Sequence, residues 1–420
     1  MKIKNLLLAG LAVAAMTACS NNDEIIDNGI QEPTEKANMK INFKFTNSGT
    51  RAATDGGTSA GEDFEWESQN ITVVLDYAGR KRVVTENLTL KEEKTNGQKV
   101  YTTGEIQVDG SAGGTNIYAF VNGQYTTEEL QTADLATLAV KTASLPATGL
   151  DHLTGTGFPA EREKFLMTGV VTNQTLTYGE TVTIPITVDR VVAKLDEMTD
   201  AETAFTLDAS EIENADAITV KITEHTYSNL SSNSYALKAA TPMTSTYLQP
   251  YIAQGNAASY ESYEWIAKGQ TYCYENGSAN PTRVHYVGEV LFDGQAIEND
   301  FYVWSRFVGS SIVTTAYKDW AALKAAKADI SDAIAENDAA LKAQGVKRYK
   351  SGRCYYEADI YTAASQTTTI VRNNWYKLTV KTINDLGTPD PVIEEEDKKT
   401  YLIIEALVNP WTINVNDFNL

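Results

Sequence analysis

The chain is 420 residues long, 42% hydrophobic and 21% charged, a composition that fits about two folded domains with tails and excludes a disordered chain. Its formal net charge is −20. With no basic cluster to meet a phosphate backbone, nucleic acid is excluded as a partner, and the acidity reads as solubility and repulsion between monomers.

The expected fold is mostly β. The chain holds 22 tyrosines and seven Asn-Gly or Asp-Gly dipeptides, and such dipeptides tolerate the positive φ angles of type I′ hairpin turns. Residues 1–19 read as an export address. Lys2 and Lys4 precede an apolar run, residues 6–18, of signal-peptide length and too short to span a bilayer. Its end, Met16-Thr17-Ala18-Cys19, is similar to a bacterial lipobox, with Met16 where leucine is usual. Cleavage then falls before Cys19, which takes the lipid; an ordinary secretory signal with a chance cysteine is the alternative.

Residues 20–38 are polar and read as a tether. Met39, Ile41, Phe43 and Phe45 then alternate with Lys40, Asn42, Lys44 and Thr46, the pattern of a strand with one buried face. Residues 47–63 have four glycines and almost no large apolar side chain, too little to offset ordering entropy. Arg51 stands alone in this soft stretch, so the Arg51–Ala52 bond is a candidate protease site; a plain loop arginine is the bland reading.

Strands are expected at 71–77, 82–90, 100–108 and 115–121. Thr126 followed by Glu128 and Glu129 predicts a helix start, running to about residue 138. A loop at 144–163 leads to strands at 165–172 and 181–188. Residues 184–195 read as one long strand crossing between domains, with the boundary near 190. The domains expected are 52–190 and 191–383. In the second, strands fall at 217–224, 282–292 and 301–307. One longer helix, 317–343, follows from apolar residues at three- and four-residue steps, then strands at 355–362 and 375–383.

Residues 384–399 read as a charged, Pro-containing linker. Beyond it Trp411, Ile413 and Val415 alternate with polar residues, and Phe418 and Leu420 resume the pattern one register later, after a kink or bulge. This strand is either a last edge strand or one offered to another molecule. With Cys19 set aside, Cys273 and Cys354 remain; a disulfide and two separate thiols are both open.

Catalytic and metal chemistry find no footing. His152, His225 and His285 have no ligand spacing. Asp109-Gly110-Ser111-Ala112-Gly113 lacks the first glycine and the strand-to-helix setting of a nucleophile elbow, and reads as a turn. Gly56–Gly61 lacks a phosphate loop's lysine, and Glu394–Asp397 lacks spaced calcium ligands. No enzyme, metal or cofactor is expected.

The lipobox at Cys19, Thr50-Arg51-Ala52, the crossing strand Val188-Asp189-Arg190-Val191-Val192-Ala193-Lys194, Arg372-Asn373-Asn374-Trp375-Tyr376 and Asn409-Pro410-Trp411 together resemble the fimbrillins of type V pili. These are the major fimbrial subunits of Bacteroidales, and the likeness is to stalk subunits of the minor-fimbria type. The resemblance implies two transthyretin-like β-sandwich domains with a few short helices. It implies export as an outer-membrane lipoprotein precursor and cleavage after Arg51 by an arginine-specific protease. It also implies polymerisation by strand exchange on the cell surface.

On that mechanism Ile41, Phe43 and Phe45 belong to a removable strand within a pro-segment, 20–51. Trp411, Ile413, Val415, Phe418 and Leu420 belong to a donor strand carried by the 384–420 region. The implied partners are other copies of the chain, head to tail, with accessory anchor and tip subunits. The competing reading is a tip adhesin or a surface glycan-binding lipoprotein, its tyrosines stacking on sugars. A secreted hydrolase lacks any acid/base or nucleophile grouping.

Overall fold

A computed structural model describes residues 36–45, 68, 70–93, 99–141, 165–208, 210–243, 265–267, 269–277, 280–360, 370–391 and 402–410. For 43–45, 92–93, 99, 112–113 and 402–410 the description is of the backbone. Among the described residues nine strands precede residue 191: β1 Lys36–Phe45, β2 Asn70–Tyr77, β3 Arg80–Asn87, β4 Thr89–Glu93, β5 Lys99–Thr102, β6 Ile106–Asp109, β7 Ser111–Val121, β8 Met167–Leu176 and β9 Thr181–Arg190. They join in the order β3-β2-β7-β8-β9-β1-β5-β4, with β6 also on β1.

β8 and β9 pair only through Met167↔Arg190 and Thr168↔Asp189, and there the sheet folds over. Ile71, Val73, Ile117 and Ala119 of one layer thus share a core with Met39, Ile41, Ile184 and Ile186 of the other. Alternation builds this core: in β9, Ile184, Ile186 and Val188 are buried while Thr183, Pro185 and Thr187 are exposed. The β2–β3 turn is Ala78-Gly79, with φ +56° and +105°, and Asp76 accepts the Gly79 N–H at 2.6 Å. Positive φ at both residues is a type I′ requirement that the Asn/Asp-Gly signal misses here.

Every later strand follows Val191: β10 Val192–Glu197, β11 Ala204–Thr206, β12 Ile218–Ser228, β13 Gly269–Tyr274, β14 Arg283–Phe292, β15 Gln295–Ala296, β16 Phe301–Val308, β17 Ser311–Tyr317, β18 Val346–Tyr349, β19 Arg353–Asp359, β20 Asn374–Ile383 and β21 Leu402–Pro410. One sheet runs β13-β10-β20-β21 and faces another built on β11-β12-β14 with β15 and β19. Leu195, Tyr376 and Leu378 of the first meet Val220, Tyr286 and Tyr356 of the second in one core. A third sheet, β17-β16-β18, carries Leu323 and Leu341 against Tyr302 and Val346.

The helices are short: α1 Thr127–Thr132, α2 Trp320–Ala326 and α3 Asp338–Ala343. Thr126 and Glu129 form the capping box that starts α1. The single helix expected over 317–343 is two, because capping residues interrupt it. Asp319 starts α2, Ser331 caps a 3₁₀ turn, and Asn337 starts α3.

Three further expectations change. The strand crossing 184–195 bends at Val191, whose N–H donates to the Leu166 carbonyl. The strand expected over 100–108 divides at Thr103–Glu105 into β5 and β6. The linker does not begin at 384: Thr388 and Tyr355 exchange backbone hydrogen bonds of 2.9 Å, and Leu386 lies in the core. Loop 144–163 falls outside the described residues.

Candidate functional site

β1 is an interior strand. It runs parallel to β9 from Asn38↔Thr181 to Phe45↔Val188. On its other edge it is antiparallel to β6 at Lys36–Met39 and to β5 at Asn42–Lys44. Ala37, Met39 and Ile41 are at most 2% exposed, and Met39 and Ile41 sit among side chains of both layers. Burying these two stabilises the sandwich by roughly 1.5–3 kcal/mol each. Removing β1 therefore parts β9 from β5 and β6 and leaves an apolar trough with an unpaired ladder on each wall.

Between β5 and β6 the wall has a bulge, and Thr103 fills it. Its N–H donates to the Ile41 carbonyl at 3.1 Å. Its Oγ accepts the Ile41 N–H at 3.1 Å and donates to the Gly104 carbonyl at 2.8 Å. The hydroxyl stands in for the backbone acceptor that a regular ladder would offer.

At the Lys36 end, buried Asp109 gathers three cations: Lys36 at 2.7 Å, Arg80 at 2.8 Å and Arg82 at 3.5 Å. Burial pushes its pKa up, but hydrogen bonds from Lys36 and Arg80 outweigh this and leave it at about 2. Tyr77 donates to the Asp109 carbonyl at 3.1 Å; burial, then the Asp109 charge, push its hydroxyl up to about 12. Neither Asp109 nor Thr103 stands out in the sequence. Asp109 reads there only as the head of a turn.

The Asp189-Arg190 and Arg372-Asn373 motifs meet. Asn373 donates to Asp189 at 3.1 Å, accepts from Arg190 at 3.2 Å, and gives its backbone N–H to the Val192 carbonyl at 2.8 Å. Arg372, buried, holds Glu275 through two bonds of 2.6 and 3.0 Å and reaches the carbonyls of Tyr235 and Ala236. β20 starts here, and β21 lies antiparallel on it with Pro410 opposite Asn374.

Cys19, Arg51, Ala52 and the donor residues Trp411, Ile413, Val415, Phe418 and Leu420 lie outside the described residues. Phe43 and Phe45 are placed by backbone pairing alone. Cys273 and Cys354 are free, which corrects the disulfide option. β13 and β19 belong to facing sheets, and burial holds both thiols above their ordinary range. Among the described residues no group of three metal-ligating side chains gathers, and no helix is long and apolar enough to cross a membrane.

Residues 347–417 match the family model "Major fimbrial subunit protein type IV, Fimbrillin, C-terminal". This segment is fimbrillin-like. The fimbrillin match covers β19, β20 and β21 and continues past Pro410. No curated protein matches the chain. Among solved structures, a candidate cell adhesion protein from Parabacteroides distasonis ATCC 8503 is similar in fold, with TM-score 0.50 and 14% identity, covering 91% of this chain and 100% of that one. A fimbrilin (FimA) from Porphyromonas gingivalis W83 gives TM-score 0.49 and 15% identity, over 90% of this chain and 99% of that one. The fold similarity agrees with the mostly-β architecture read from the sequence, and the fimbrillin match is confined to residues 347–417.

Proposed function

We propose that this chain is a stalk subunit of a surface fimbria, exported as a precursor lipidated at Cys19 and cut between Arg51 and Ala52. The 411–420 segment of one subunit then takes the place of β1 in the next. One observation carries the reading: the strand lying just before the candidate cleavage site is interior to its sheet, with Met39 and Ile41 buried. Cutting at Arg51 makes that strand a separate peptide. The trough it fills suits any strand with alternating apolar residues, since main-chain bonds supply affinity and side-chain sites supply selectivity.

Such an interface is heterologous and does not close, so it builds a filament. Until cleavage the trough is covered, which holds back assembly inside the cell. The role is structural, with no catalytic step. The glycan-stacking alternative draws less support, because Tyr227, Tyr286, Tyr356 and Tyr376 are core residues.

Arg51→Ala is expected to yield monomers retaining the pro-segment, and deletion of 411–420 to yield processed monomers that do not elongate. N-terminal sequencing of surface-extracted protein, expected to begin at Ala52, checks the first step. Normal ladders from either variant on a non-dissociating gel sink the proposal.

A further inference from the structure

Given the strand-exchange reading above, on which this rests, the geometry points to Thr103 as the residue that fixes the direction and phase of the strand entering the trough. The incoming strand runs as β1 does, parallel to β9 and antiparallel to β5 and β6, with an inward residue at the place of Ile41.

The argument is stereochemical. Successive residues of a strand turn both side chain and peptide groups to opposite sides. In β1 the inward residue Ile41 gives its N–H and its carbonyl to Thr103. The outward residue Asn38 gives its N–H to the Glu180 carbonyl on the β9 side, at 3.0 Å. Inward residues therefore address the β5–β6 wall and outward residues the β9 wall. A strand reversed end for end, apolar face still inward, swaps these assignments. Its inward peptides then face β9, and Thr103 meets the side of the strand that carries no matching pair at that level. Sliding it by one residue restores the bonds but moves every side chain off its site.

Thr103 makes this choice stringent. It is 2% exposed, and water cannot readily replace the bonds it loses. It also reads no side chain, so it accepts the different sequence of a donor. Ala37 is buried opposite Val108 and carries the smallest inward side chain, a poor match for the bulk of Trp411. Trp411 then takes the Met39 place, Ile413 that of Ile41 and Val415 that of Phe43. Pro410 falls at Asn38, and the Glu180 carbonyl, on an exposed turn, passes to water.

The test uses full-length precursor processed to polymer. Asn416→Cys is combined in turn with Val100→Cys, Thr102→Cys and Gln107→Cys, and disulfide-linked dimers are read on gels. Linkage is expected at 100, which lies opposite the Lys44 place that Asn416 takes; linkage at 102, a two-residue slip that puts Trp411 at the Ala37 place, overturns the phase, and linkage at 107 on β6 overturns the direction, each while leaving strand exchange intact. Polymers with linkage at none of the three overturn both the inference and the donor assignment.

Thr103→Val, which keeps shape and loses the acceptor, is expected to slow polymerisation about tenfold, one buried hydrogen bond's worth. Thr103→Ser is expected to restore the rate. Circular dichroism on the precursor confirms folding of each variant. Wild-type rates from a folded Thr103→Val protein, with unchanged linkage at 100, remove Thr103 from the role.

Discussion

The two sandwiches are held by different physics. The core of the first is almost wholly aliphatic, and the buried ionised side chains Asp109, at the end of β1, and Arg190, at the end of β9, lie outside that cluster. The second buries Arg372, Glu275, Glu197, Lys194, His225, His285 and several tyrosines. Burial of apolar surface is non-directional, so a trough lined by it can take a substitute strand. A satisfied polar network permits one arrangement and penalises others. On the proposed mechanism the first sandwich is the one that can be re-filled, and the second resists rearrangement. The strands that the proposal sets against each other differ in the same way: β1 lies inside its sheet, whereas β21, among the described residues, has a single partner, β20, at an edge.

The largest expected effect is at Arg372. Arg372→Ala leaves Glu275 buried without its cation, a change that costs about 3–5 kcal/mol in comparable buried pairs. Chemical denaturation followed separately in each sandwich should show the loss in the second alone. If both fall equally, the division between them is wrong.

Next comes the trough. Ile41→Ala in the precursor removes a fully buried side chain and is expected to cost about 2–5 kcal/mol, with Ile41→Val at about 0.5–1.5 kcal/mol. The loss should appear in the first sandwich and vanish once the pro-segment has been replaced in the polymer. A polymer that keeps the same defect would mean that β1 never leaves.

Acid separates the two regions further. His225 and His285 are driven down by burial, from 6.5 to about 4 and about 3. Both are neutral in the fold and protonate more readily when unfolded. Their contribution is complete above pH 6.5 and is lost as pH falls from there toward 4 and 3. Asp109, lowered from 3.8 to about 2, contributes above pH 3.8 and loses it only as pH falls toward 2. Glu197 and Asp196, raised by burial, act in the opposite sense to the histidines. The measurement is therefore a thermal series from pH 7 to 4 on wild type against His225→Phe and His285→Gln. The second sandwich should weaken first, and the variants should flatten its slope.

How much of this was legible depends on the range of the signal. β1 was readable because alternation is local: four inward positions at spacing two need no knowledge of neighbours. Its position inside the sheet was not, because pairing with β9 joins residues about 140 apart and nothing in either strand names the other. The motifs Asp189-Arg190 and Arg372-Asn373 could be quoted as a likeness, yet their meeting at Val192 is a tertiary fact. The split of 317–343 was legible in principle, since Asp319, Ser331 and Asn337 are cap residues. The spacing of the apolar residues outvoted them. Thr103 was hidden because a threonine replacing a backbone acceptor looks like any strand threonine.

The smallest effect lies where the comparison is finest. Lys36 is half-exposed at the surface end of β1 and is one of three cations on Asp109. Replacing it leaves Arg80 at 2.8 Å and Arg82 at 3.5 Å, so Asp109 stays paired. Lys36→Ala should then change precursor stability by less than about 1 kcal/mol, as for other partly exposed ion pairs. The same redundancy applies when the whole strand goes. Asp109 keeps two arginines whether or not β1 is present, so the end of the trough never holds a bare buried charge. A loss well above that bound in Lys36→Ala, measured by denaturation at low and high salt, would show that the ion pair rather than apolar burial holds β1 in place. The first sandwich would then be as polar in its logic as the second.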